Sequence, residues 1–260
     1  MMAWMPTQPI AAGIVVAIAL ASQIAATRAD QRDDFLAGRT RDCPRCDLAG
    51  QNFKRRDLSG ADLAGANLKD ANFHDARLIG ARLGGADLAG ANLNKANLAR
   101  ADLRGAKARA AMLYGATLDG ANLAGADLTD ALMGTARLTR SDLTNATLQN
   151  VDLRKGRLAE ASLVGATLTA VALDAAMLRG ARLDGAALTE ARLIGTELMG
   201  AILVRADLTD ANALGANLRA ADLTRAKLVR ANFRRANLYE AKLDEAIFDN
   251  TVMPDGTTQP

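Results

Sequence analysis

The chain has 260 residues, half of them hydrophobic, with 32 basic against 29 acidic side chains and a formal net charge of +3. The apolar half argues against a disordered chain, and the near balance of charge excludes a strongly acidic or basic tail protein. With one Trp, two Tyr and five Phe, the core must be aliphatic, and a pocket walled by large rings is not expected.

Residues 10–26 carry no charge, a run between a secretory apolar region and a full membrane span in length. Small residues follow (Ala25, Ala26, Thr27, Ala29) before the polar run from Asp30 to Asp34. This predicts a signal peptide over residues 1–29, cleaved near Ala29, and a periplasmic or secreted protein. Residues 1–9 contain no Lys or Arg, which departs from the usual signal and leaves an uncleaved anchor, with membrane contact through that segment alone, as the alternative. Cleavage would remove Arg28 and leave a nearly neutral body.

Residues 30–47 read as a capping segment containing Cys43-Pro44-Arg45-Cys46, and residues 48–250 as one unbroken repeat. Of the 41 positions ending in 3 or 8 from Leu48 to Phe248, 34 are Leu, four are Phe (Phe53, Phe73, Phe233, Phe248), one is Met133, and two are Ala108 and Ala213. Two residues earlier runs a second column of 41 positions, 33 of them Ala. An α-helix turns about 100° per residue, so a period of five would smear Leu around the helix and leave no apolar face. Within a unit such as Ala61-Asp62-Leu63, however, the apolar residues alternate as on a strand. Gly, Asn or Asp then fall where the chain must turn. A chain that bends every five residues can bury both columns only by coiling about an axis, with successive coils hydrogen-bonded as short parallel strands. Val151, Gly156 and Val171 in the Ala column, and Ala108 and Ala213 in the Leu column, predict local packing irregularities. Residues 251–260 read as a short tail.

The units Ala61 to Gly65, Ala86 to Gly90 and Ala121 to Gly125 resemble the pentapeptide repeat family over about 200 residues. The resemblance implies an all-β fold, a right-handed quadrilateral β-helix with four pentads per coil and about ten coils.

By register, Cys43 falls on the Leu column and Cys46 on the Ala column, so both should face inward at the first coil as a cap or disulfide. No helical pattern follows to lower a thiol pKa as a redox motif needs, and two cysteines with the single His74 cannot close a zinc site in one chain. His74 should lie on an outward corner. Ser59, Ser141 and Ser162 are in register with no activating base. The aspartates before Leu, such as Asp62, Asp102 and Asp152, read as a solvated face. No catalytic residue and no cofactor are expected.

Stacking residues 20 apart places Thr129, Gln149, Thr169, Thr189 and Thr209 in one outward column. It sets Ile194 beside Leu214, with Met199, Ile202 and Val204 near them as a candidate apolar interaction patch. Basic residues gather from Arg219 to Lys242 without the single stripe and stacking aromatics that nucleic acid would require. These features predict a non-catalytic exported scaffold whose rod surface binds a partner protein or cell-envelope component, with end-to-end self-association through exposed strand edges. The alternative is a topoisomerase (gyrase) inhibitor or protection protein. The family's gyrase-binding rods are acidic DNA mimics, and this body is neutral to basic.

Overall fold

A computed structural model of the protein describes residues 30–260; the expected signal segment lies outside them. The expected capping segment opens with a short helix, α1, over residues 30–36. It ends where Ala37 donates its amide to Asp33 O at 2.9 Å and Gly38 enters the left-handed region at φ 76°. No helix among the described residues is long and apolar enough to cross a membrane.

From Asp47 onward every fifth residue makes a parallel bridge to the residue 20 positions later, beginning with Asp47–Asn67 and ending with Asn232–Val252. A coil therefore takes 20 residues and has four sides. We name them A (residues 61–65 and every 20 on), B (66–70), C (71–75) and D (76–80). The bonding repeats with little variation: Leu48 donates its amide forward to Asn67 O at 2.8 Å, and Asn67 donates its own back to Cys46 O at 2.9 Å. Each side closes with a turn in which the Ala-column amide donates to the Leu carbonyl three residues earlier, as Ala71 does to Leu68 at 3.1 Å. The residue before that Ala takes a positive φ, as a type II turn demands.

Both apolar columns point to the axis. Leu63, Leu123 and Leu183, with Ala61, Ala121 and Ala181, are essentially inaccessible. Side-chain length sorts the two: Leu fills the centre, while a larger residue in the Ala column presses on the turn. At Val151 and Val171 the turn bond lengthens to 3.3 and 3.2 Å, against 3.0 Å at Ala136 and Ala146. The ladders nevertheless run through Val151, Val171, Ala108 and Ala213 without a break, so the irregularities are confined to a few tenths of an ångström. Gly156 has a steric reason: a Cβ there would sit 2.9 Å from Leu153 O.

The repeat also runs past residue 250. Thr251 occupies the Ala column, fully buried, and donates its hydroxyl to Leu228 O at 2.7 Å. Val252 then completes the ladder with Asn232. The expected tail is a hairpin, in which β1 (Thr251–Val252) pairs antiparallel with β2 (Thr258–Gln259).

Candidate functional site

At the amino end Cys43 and Cys46 face the axis, buried, and are joined by a disulfide with Cα atoms 5.4 Å apart. Above them α1 lowers Phe35 onto the open coil. Its ring meets Phe53 edge-on at 5.6 Å, and Phe53 stacks on Phe73 at 5.0 Å. Arg56 spreads over this plug, its guanidinium 5.0 Å from the Phe35 ring while it donates to Phe35 O. Bonded and buried sulfurs are not available for exchange or metal ligation, so the end is a structural closure. No cluster of three or more His, Cys, Asp or Glu among the described residues could hold a metal ion.

The aspartates before Leu have a duty that the sequence did not disclose. Their Oδ1 atoms accept the amide two residues on, as Asp62 does from Ala64 at 3.1 Å, Asp142 from Thr144 at 2.9 Å and Asp222 from Thr224 at 3.0 Å. Asparagine serves equally, as Asn72 does for His74 at 3.0 Å. These are Asx turns, and they explain why Asp and Asn recur there. At three stations where the residue before Leu does not accept, the neighbouring coil supplies the oxygen, as when Tyr114 N donates to Asn94 Oδ1 at 2.8 Å and Thr139 N to Asp119 Oδ1 at 3.0 Å.

The hydroxyls are similarly engaged. Ser141 donates to Leu138 O, Ser162 bonds Thr144, and Ser59 donates to Asp57. In the threonine column, on side B, Thr129 and Thr209 donate to Asp127 and Asp207, and Thr169 bonds Thr189. Hydrogen bonds from Arg104 and Arg154 hold Asp102 and Asp152 below the usual carboxylate range. An ionised carboxylate locked in such a fork is a poor general acid or base near neutral pH.

The five residues of the expected apolar patch are half-buried and do not form one surface. Ile194 and Leu214 stack on side C, Met199 lies on side D, and Ile202 and Val204 lie on side A. The large side chains that stand free are others. Tyr114 (55% exposed) and Leu132 (52%) stand on side C and Met177 (48%) on side D, and Tyr239 and Ile247 lie near the carboxy end.

Past Tyr114 and Met177, where sides C and D meet, runs a trough made of three joined depressions. One, of about 230 Å³, is lined by Tyr114, Gly134, Thr135, Asp152, Arg154 and Lys155. The next, of about 600 Å³, shares Thr135 and Lys155 and adds Arg137, Arg157, Ala175 and Met177. The third shares Arg137 and continues to Arg100, Asp119, Thr139 and Arg140. Gly134 makes room for Tyr114: a Cβ there would lie 3.2 Å from the ring. Arg137, Arg140 and Arg154 are tied to Asp119, Glu160 and Asp152 at 2.8, 2.8 and 2.6 Å. Arg100, Lys155 and Arg157 have no ion-pair partner among the described residues. Near the carboxy end Arg219, Arg225, Lys227, Arg230 and Lys242 pair with carboxylates, while Arg234 and Arg235 have no ion-pair partner among the described residues.

Comparison with known proteins accounts for this architecture. The pentapeptide repeats family model matches in overlapping copies from residues 42–85 to residues 216–253. The chain belongs to the pentapeptide repeat family. Members form right-handed quadrilateral β-helices and are generally non-catalytic structural or protein-binding scaffolds. Among solved structures, this pentapeptide repeat protein is similar to HetL, a family member involved in heterocyst differentiation regulation in the cyanobacterium Nostoc sp. Strain PCC 7120. The identity is 31%, over 86% of this chain and 96% of HetL, with a TM-score of 0.71. A pentapeptide repeat protein of the Arabidopsis thaliana thylakoid lumen is 36% identical over 44% of this chain and 70% of its own, with a TM-score of 0.21. QnrB1, a plasmid-mediated fluoroquinolone resistance protein, is 15% identical over 80% and 94%, with a TM-score of 0.33. No curated protein matches the chain significantly.

Proposed function

We propose that this pentapeptide repeat protein is a non-catalytic scaffold, exported to the periplasm or beyond, whose rigid sides bind a partner protein. The observation that carries the scaffold reading is the employment of its polar groups. The repeated carboxylates cap turns and the serine hydroxyls bond within the coils, so reactive groups are spent on holding shape. What varies from coil to coil is the outward residue at each station, and that variation is the material for recognition.

The neutral surface supports the same reading against a DNA mimic, which needs dense, uninterrupted negative charge. Here opposite charges alternate along the columns, as in Arg230 with Asp210 and Arg225 with Glu245. Export rests on the sequence of residues 1–29 alone.

Two experiments test the reading. A photo-crosslinking residue placed singly on each of sides A to D, in cells that make the protein, should trap a discrete partner from one side or two adjoining sides. Absence of adducts from all four sides would remove the scaffold reading. Separately, a reporter fused after Ala29 should be recovered from the envelope or medium, and recovery in the cytosol would remove export.

A further inference from the structure

We propose that the trough crossing the corner between sides C and D, from Tyr114 to Arg140, docks an extended acidic segment of a partner protein in which carboxylates alternate with apolar side chains. This rests on the scaffold reading and adds the place and the chemistry of the partner.

Three observations converge there. First, it is lined by two of the five exposed large apolar side chains of the described residues, Tyr114 and Met177. Aromatic and arginine side chains grouped about a depression are the usual anchors of an interface. Second, its charge is unbalanced. Asp119, Asp152 and Glu160 are each bound to one arginine, which leaves Arg100, Lys155 and Arg157 to face carboxylates brought from outside. Third, the corner shared by the first two depressions is Thr135, the one β-branched residue among the described residues with positive φ, at 58°. A β-branched side chain is a poor occupant of that region. Its presence at the junction of two depressions, where glycine serves at many other corners, places a strained backbone at a surface suited to contact.

The form of the trough selects the ligand. The depressions are shallow, open and joined end to end, so they suit a chain laid across the coils and offer a small molecule little enclosure. The three bound carboxylates interrupt the cationic track, which disfavours the evenly charged backbone of a nucleic acid. Tyr114 has one ring edge against Gly134, which makes it a fixed wall for an aliphatic side chain.

The test uses the full chain and a short labelled peptide in which glutamates alternate with leucines, followed by fluorescence anisotropy. The peptide should bind in a salt-dependent manner. Lys155→Glu with Arg157→Glu should weaken binding about tenfold or more, as should Tyr114→Ala with Met177→Ser. Glutamate already occupies the same backbone region at Glu160, so the charge reversal at position 155 leaves the fold intact, which a thermal melt verifies. Lys107→Glu with Arg205→Glu makes the same change of charge at exposed positions away from the trough and should leave binding unchanged.

Equal loss in that control pair would reduce the effect to net charge and overturn the proposal. So would a peptide that fails to bind, or a single-stranded RNA that binds as tightly and is lost in the same variants. Crosslinks to a partner from side A or B alone would overturn this site while the scaffold reading stood. No crosslinks from any side would remove both.

Discussion

The two ends of the coil meet the same problem with different means. A parallel solenoid leaves a row of unpaired amides and carbonyls and a ring of apolar side chains at each end. At the amino end α1, the disulfide and the Phe35–Phe53–Phe73 stack leave Phe35, Cys43 and Phe53 buried. At the carboxy end Leu238, Leu243 and Phe248 are only partly buried. The hairpin of β1 and β2 extends side C alone. A regular interior thus does not dictate how an end is closed, and local, non-repeating sequence decides it. The expected end-to-end association is, on this comparison, a property to look for at the carboxy end.

The sharpest way to break the comparison is to shorten one aromatic at each end. Phe53→Ala should cost about 3–5 kcal/mol, as for other large aromatics removed from a packed core. Phe248→Ala, already in contact with solvent, should cost about 1–2 kcal/mol. Urea denaturation of the two variants checks the ranking, and equal losses would mean that the ends are equally closed. Next in size, Cys43→Ser with Cys46→Ser should lower stability by about 2 kcal/mol, the loop-entropy contribution of so short a ring. Hydrogen exchange should report the loosening in the first coils and leave amides near Leu238 unchanged. A smaller effect of opposite sign is expected away from both ends: Thr135→Gly should raise stability by about 1 kcal/mol, since it relieves a left-handed backbone carried by a branched residue.

The smallest effect near neutrality is that of pH. Asp102 and Asp152 are held below their ordinary range by hydrogen bonds from Arg104 and Arg154. Groups whose folded pKa is lowered stabilise the fold above the unfolded value of about 3.9 and cease to do so as pH falls through the folded value. Melting temperature should therefore be flat from about pH 7 to 5 and decline below about pH 4. A decline already at pH 6 would contradict this assignment.

Much of the interior was legible because it obeys a period of five. Leu and Ala announce the axis, and even Cys43 and Cys46 could be placed inward by counting. The exterior obeys a period of 20, and its character depends on neighbours that are distant in sequence. Ile194 looked free, yet it is half-buried on a column with Asp174, whose carboxylate accepts its amide, and Leu214. Tyr114 stands out because the residue after it on the same column, Gly134, has no side chain. An aromatic paired with a glycine 20 positions on was the signal that could have pointed to the trough. The aspartates were misread for a different reason. Their backbone partners lie two residues ahead, and composition alone reads a turn cap as a solvated charge.

The disparity between these two periods governs how such a rod tolerates change in length. Gain or loss of a single pentad would keep every leucine in line with the axis and so go unnoticed by the interior. It would also rotate everything beyond it by a quarter of a revolution, breaking up the trough as if the pages of a book had been rebound out of order. Only duplications or deletions of a full 20 residues restore the outer alignment. Lineages that keep this docking face are therefore expected to differ in steps of whole coils, and those that have abandoned it in steps of one pentad.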